Sequence, residues 1–264
     1  MILGAGAPGQ AQTGQGPLSA GKLASRRAMP HLFDMQPDPS PTPPVTAPRA
    51  RLRAWLRAGG VVAALIGICV LVEAVLLGAD WGLWGGRHWR AMAYGYGAFW
   101  AGILHGWRPN YPGQGLTMFF TYAFLHGGVG HLIGNMLVLW LFGRAAEDRL
   151  GARRFALLYL GAMLGGGVGF GLLATSPAPM VGASGAIFGL AGAWVIWGWQ
   201  DRRTAGLRGW AGFAPALWAV LGLMAINLIM WVLLLGHLAW ETHLGGALAG
   251  MALAAAMGRR VNPA

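Results

Sequence analysis

An all-α membrane protein is the fold class this sequence predicts: a bundle of six transmembrane helices with a long membrane-associated outer loop between the first and second. Three observations lead there. The 264 residues are 56% hydrophobic and only 10% charged, whereas a soluble domain carries nearer a quarter charged residues. The apolar residues fall into six stretches, roughly 58–77, 128–146, 153–174, 184–200, 211–234 and 241–258, each near the length a helix needs to cross a hydrocarbon core. The positive charge, finally, gathers at the ends of those stretches.

The formal net charge of +11 invites a nucleic-acid reading, and its distribution argues against one. Lys22, Arg26, Arg27, Arg49, Arg51, Arg53 and Arg57 precede the first span. Arg144, Arg149, Arg153 and Arg154 fill the 2–3 loop, Arg202, Arg203 and Arg208 the 4–5 loop, and Arg259 and Arg260 follow span 6. Arg87, Arg90 and Arg108 alone fall on the opposite side. By the positive-inside rule both termini are cytoplasmic, and spans 2, 4 and 6 run from outside to inside. The predicted location is the inner (plasma) membrane of a bacterium, and the lipid bilayer, not a nucleic acid, is the partner the basic residues address.

Residues 1–48 are rich in Gly, Pro, Gln and Ser and cannot bury a core, so they read as a disordered cytosolic tail. Gly16-Pro17-Leu18-Ser19-Ala20-Gly21-Lys22-Leu23 has phosphate-loop spacing. Leu23 stands where that motif needs Ser or Thr, and no apolar strand precedes it, so nucleotide binding is not expected. The transmembrane domain then occupies 49–260, with a short tail at 261–264. Span 1 begins too late for an ordinary cleaved signal peptide and should remain as an anchor. It holds Cys69, the single cysteine, which excludes an intrachain disulfide. The outer loop, 78–127, carries Trp81, Trp84, Trp89, Trp100 and Trp107, residues that favour the headgroup zone. Short loops join the remaining spans. Glycines four apart mark their close approach: Gly161, Gly165 and Gly169 on span 3, Gly185 and Gly189 on span 4, Gly246 and Gly250 on span 6.

Two polar residues share one depth. Ser184 lies 16 positions before the cluster Gln200-Asp201-Arg202-Arg203, and His243 lies 16 before Arg259-Arg260. At the rise of an α-helix each sits about 24 Å from the cytosolic edge, a few ångströms below the outer surface of a core about 30 Å thick. Span 4 is short, so Ser184 opens it below that surface, fed by the uncharged loop 174–181, which must line protein or a water-filled cavity. A serine there can also be a helix cap. His243 tips the balance, because an ionisable residue within a span is costly, and a neutral imidazole can take a serine proton and return it to a leaving amine. His237, by the same count, belongs at the outer rim.

Acyl transfer needs donors for a developing oxyanion. Span 2 offers His126-Gly127-Gly128-Val129-Gly130-His131-Leu132-Ile133-Gly134-Asn135, in which His131 and Asn135 share a helix face. The backbone at Ser184 and Gly185, opening a helix, adds N–H groups. Interhelical hydrogen bonding is the structural alternative for His131 and Asn135. A zinc triad of His126, His131 and His243 lacks a carboxylate to orient it, so no metal or other cofactor is expected. Asp80 and Glu241 are read as the outer-side acids, neither well placed for His243, which leaves a Ser–His dyad.

Together these residues resemble the rhomboid intramembrane serine proteases, in particular the bacterial six-span form. The resemblance covers most of 115–258. It rests on His126-x4-His131-x3-Asn135, on Glu147-Asp148-Arg149, on Gly182-x-Ser184-Gly185, and on His243-x2-Gly246-x3-Gly250. It implies a six-transmembrane rhomboid-like bundle with Ser184 as nucleophile and His243 as base. His131, Asn135 and the Ser184 N–H would surround the oxyanion, with Gly182 and Gly185 shaping the site and His126, Gly246 and Gly250 supporting it. It implies too that residues 211–241 gate the entry of substrates, which would be single-span membrane proteins cut near the outer leaflet. Two departures stand out. Phe188 occupies a position where relatives often have Tyr, so it can stack on His243 without hydrogen-bonding. Relatives also often carry Trp-Arg just before span 2, whereas here Trp107-Arg108 comes earlier and the aligned stretch reads Leu116-Thr117-Met118-Phe119. The alternative function is a catalytically inactive rhomboid-like protein that binds and routes client membrane proteins.

Overall fold

The computed structural model describes residues 59–233 and 238–257. The N-terminal tail, the phosphate-loop-like stretch, the basic cluster before the first span, His237 and Arg259-Arg260 lie outside the described residues. Among those described, every named element is helical, and pairing between extended segments is limited to one antiparallel bridge, Phe99 with Met180.

The chain runs through α1 (Gly60–Asp80), three short helices α2 (Trp89–Gly97), α3 (Ala101–Leu104) and α4 (Gln114–Thr121), and then α5 (Val129–Leu150). There follow α6 (Ala152–Leu173), α7 (Ser184–Thr204), α8 (Gly209–Leu233) and α9 (Trp240–Met257). A π-helical stretch, Leu139–Gly143, interrupts α5 without ending it. Among the described residues, four segments are long and apolar enough to cross a membrane: α1, α5, α6 and Gly209–Ile229 of α8. Helices α7 and α9 are built differently. Glycine and alanine replace much of the leucine and valine on them, because their neighbours are other helices packed at backbone distance.

The glycine spacing read from the sequence resolves into definite partners. A Cβ at Gly246 would meet the carbonyl carbon of Gly185 at 2.7 Å, and one at Gly250 would meet that of Gly189 at 2.5 Å. On the other side of α9, a Cβ at Gly245 would come within 2.9 Å of the Gly169 Cα, and one at Gly165 within 3.0 Å of the Gly245 carbonyl oxygen. Real Cβ atoms essentially never approach so closely, so α9 is clasped between α6 and α7 by residues that only glycine satisfies. This is small-residue packing of the kind that holds helices together where lipid removes the hydrophobic drive.

Helix ends are fixed by charge. The buried Glu147 carboxylate accepts hydrogen bonds from the backbone N–H groups of Val61 and Val62, both 3.1 Å, satisfying donors that the first turn of α1 leaves unpaired. Span 4 was expected to end near Gln200; α7 continues a turn further, to Thr204. Its charged last turn is anchored by Arg149, which donates to both Asp201 oxygens at 3.0 and 3.2 Å and lies over the Trp197 ring at 5.0 Å.

Candidate active site

Ser184 is the first residue of α7, and its position is set by the segment before it. Phe99 and Met180 exchange backbone hydrogen bonds of 2.9 and 3.0 Å, and the Gly182 N–H donates to the Tyr122 carbonyl at 2.9 Å. Tyr122 is itself tied down, its hydroxyl donating to the Met163 carbonyl at 2.7 Å. Phe99 packs edge-on against Phe119, Tyr122 and Phe170. The segment between α1 and α5 therefore holds the approach to Ser184 by backbone bonding and aromatic packing.

Ser184 is not the N-cap of its helix, a place taken by Ala183. Its hydroxyl lies 2.9 Å from Nε2 of His243, which is buried one turn into α9. Phe188, one turn along α7, stacks on the imidazole with ring centroids 4.1 Å apart and planes 4° from parallel. The close contacts of Gly185 with Gly246 bring the two helices near enough for the hydrogen bond to form.

The other nitrogen of His243 is not free. Nδ1 lies 2.7 Å from Oδ1 of Asn227 on α8. Sequence reasoning sought an acidic partner and missed this amide. The signal was present: Asn227 is the one side-chain amide in the apolar run 209–233. Counted from Arg208 at the helical rise, it stands about 28 Å up the span, nearly level with Ser184 and His243.

Gly182, His131 and Asn135 also converge. Gly182 has φ +120°, a conformation that favours glycine. A Cβ there would lie 2.8 and 2.9 Å from Cε1 and Nε2 of His131 and 3.4 Å from Nδ2 of Asn135. The Gly127 N–H donates to Nδ1 of His131 at 3.2 Å, so the ring proton resides on Nε2, the atom beside Gly182. Nδ2 of Asn135 is buried and finds no acceptor among the described residues. Two donors thus face the backbone leading into Ser184. Gly185 is confined as well, since a Cβ on it would meet Oγ1 of Thr242 at 2.9 Å.

His126 is buried edge-on against His131, centroids 5.3 Å apart. Its carbonyl accepts hydrogen bonds from the Tyr94 hydroxyl at 2.6 Å and from Nη1 of Arg90 at 3.3 Å. Arg90 also bonds Asp80 at 2.6 Å and the buried Glu73 at 2.9 Å. Burial works against the Arg90 charge, but its hydrogen bonds with Glu73, Asp80 and Tyr94 outweigh it and hold the guanidinium above its ordinary pKa. Asp80 and Glu241 are not the only acids at this end of the bundle. Asp80 is engaged by Arg90, and Glu73, within the first span, is a third acid at this end of the bundle. Glu241 is buried in the first turn of α9.

Beside Ser184 and His243 lies an apolar cleft of about 550 Å³ between α8 and α9, lined by Phe188, Val220, Met224, Asn227, His243 and Leu248 among others. The α8 wall is the least buried of the four apolar spanning segments among the described residues, with 17% of its window buried against 50% for α6.

A family model described as the Rhomboid domain matches residues 113–260, more than half of the chain. This protein belongs to the rhomboid family, and is a helical membrane protein. It is 35% identical over 138 residues to the rhomboid protease GluP of Bacillus subtilis, covering 51% of this chain and 24% of that protein. It is 36% identical over 137 residues to RHOMBOID-like protein 1 of Arabidopsis thaliana, covering 51% and 32%. With rhomboid-type serine protease 2 of Emericella nidulans the identity is 32% over 149 residues, covering 54% and 27%. The chain spans from 24% to 32% of the length of these curated relatives.

Proposed function

We propose that this protein is an intramembrane serine endopeptidase that cleaves single-span membrane proteins near the outer leaflet. The observation that carries the reading is the 2.9 Å approach of the Ser184 hydroxyl to the buried His243 imidazole. The family membership and the protease names of two of its relatives support it.

Ser184 Oγ attacks the scissile carbonyl while its proton passes to Nε2 of His243. The carbonyl oxygen, now an anion, is received by Nε2–H of His131, Nδ2 of Asn135 and the Ser184 N–H, donors already held in place. Collapse of the tetrahedral intermediate expels the amine, which takes the proton back from His243 and leaves an acyl-serine. Water then repeats the sequence and frees the carboxylate. Substrate reaches the dyad laterally, between α8 and α9, where the cleft is apolar and can accept a helix from lipid.

In this reading α1, α5, α6, α7, α8 and α9 are the six spans, the segment 81–128 lies at the outer surface, and both termini face the cytoplasm of a bacterium. Fluorophosphonate labelling and cleavage of a reconstituted single-span substrate test it. Labelling and cleavage should both vanish in Ser184→Ala. A wild-type protein that retains clients but neither labels nor cleaves would replace the protease with a binder of membrane helices.

A further inference from the structure

The hydrogen bond on the far side of His243 deepens the proposed protease reading and rests on it. For Nε2 to accept the Ser184 proton, the imidazole must carry its own proton on Nδ1. That N–H points away from Ser184 into surroundings where apolar side chains predominate, and a buried donor without an acceptor is costly. Asn227 Oδ1, at 2.7 Å, is an acceptor for it. Phe188 covers the ring face but offers no hydrogen bond. The acceptor is therefore supplied from a third helix, by the one polar side chain in its apolar run.

We infer that Asn227 is the positioning residue of the catalytic base, so that the working unit is a Ser184–His243–Asn227 relay drawn from α7, α9 and α8. The amide selects the Nδ1–H tautomer, fixes the ring so that Nε2 faces Ser184, and accepts more strongly once the imidazolium forms. An amide serves where serine hydrolases often use a carboxylate, without placing an anion in the span. An interhelical hydrogen bond that only held α8 to α9 would have no need to end on this atom of this ring.

The groups around His243 allow a clean test. Ser184 and Phe188 of α7 and Asn227 of α8 carry no charge at neutral pH. His131 of α5, beside Gly182, is the titratable group of the neighbouring span, and Glu241 lies two residues earlier on α9. The wild type, Asn227→Leu and Asn227→Asp are reconstituted in liposomes, and kcat, KM and the pH–rate profile are read with one single-span substrate. Asn227→Leu, similar in shape without the acceptor, should lower kcat about 10- to 100-fold, the worth of a hydrogen bond to a group that becomes charged, at an unchanged KM. Asn227→Asp restores an acceptor and adds a negative charge beside the imidazolium. It should recover most of kcat and move the acid limb of the profile upward by about one pH unit.

Asn227→Leu at wild-type kcat overturns the inference. So does Asn227→Asp with an acid limb that coincides with the wild type, which also decides the matter should the leucine variant fail to fold. A wild-type protein inert in the same liposomes would instead remove the protease reading itself, so the two failures are distinguishable.

Discussion

Replacing Gly246 by alanine tests whether the dyad depends on backbone-distance packing. The new Cβ would sit 2.7 Å from the carbonyl carbon of Gly185 and 3.2 Å from its Cα, with the carbonyl oxygen nearer still. These are backbone atoms of the residue after Ser184, so no rotamer change relieves them. Restoring an ordinary carbon contact of 3.4 Å requires α7 and α9 to part by at least about 0.7 Å, and the oxygen demands more. The Ser184–His243 hydrogen bond starts at 2.9 Å, so the same displacement carries it beyond the usual limit of about 3.2 Å. A misplacement of about 1 Å at a reacting pair can cost 10²-fold, which sets the expected loss in kcat/KM. Overpacking should also cost about 1–3 kcal/mol of stability, visible as a lowered Tm in detergent. The assay is cleavage of a reconstituted single-span substrate together with the rate of fluorophosphonate labelling. Gly67→Ala is the control: a Cβ at Gly67 meets nothing within 4 Å, and alanine is the better helix former by about 0.8–1 kcal/mol. Cleavage by Gly246→Ala within threefold of wild type, at an unaltered Tm, would show that the helices adjust without disturbing the dyad and would refute the argument.

Other perturbations address the remaining parts. Asn135→Ala should lower turnover about 10²–10³-fold, as loss of one oxyanion donor does elsewhere, with Ser184 still open to the probe; unchanged turnover removes Asn135 from that role. Glu147→Gln keeps the shape of the α1 cap but removes its charge, and should cost about 1 kcal/mol of stability with little effect on kcat at low temperature, as thermal denaturation and cleavage assays would show. Deleting residues 2–48 should leave activity in detergent within about twofold, because that segment lacks the apolar content to build any part of the site; an inactive truncation contradicts this.

Much of the site was legible because a span imposes a ruler. The fixed rise of a helix and the basic residues at its end gave Ser184 and His243 a common depth, and the structure sets them 2.9 Å apart. Phe188 was read as a stacking partner from its place one turn after Ser184, and it stacks. The glycine repeats indicated close packing. That Gly246 meets Gly185 while Gly245 meets Gly165 and Gly169 depends on the rotation of one helix against another, which spacing along a single chain does not encode. Asn227 escaped for a related reason. An amide carries no charge, so a search confined to acids passes over it, and only the packing of α8 against α9 shows that it ends on Nδ1 of His243. The Arg90, Asp80 and Glu73 cluster joins residues from α1 and α2 that no motif links.

Composition, arginine placement and helical rise follow the chain one residue at a time, so by itself the sequence could determine the membrane class and mark Ser184 and His243 as sharing one level of the bundle. Hydrogen bonds join residues up to 86 positions apart, glycine contacts such as Gly161 with Leu253 join residues further apart still, and which side of a helix faces which neighbour is decided only when the helices pack. That is why the hydroxyl and imidazole could be named beforehand, while the atom that orients the imidazole had to be seen.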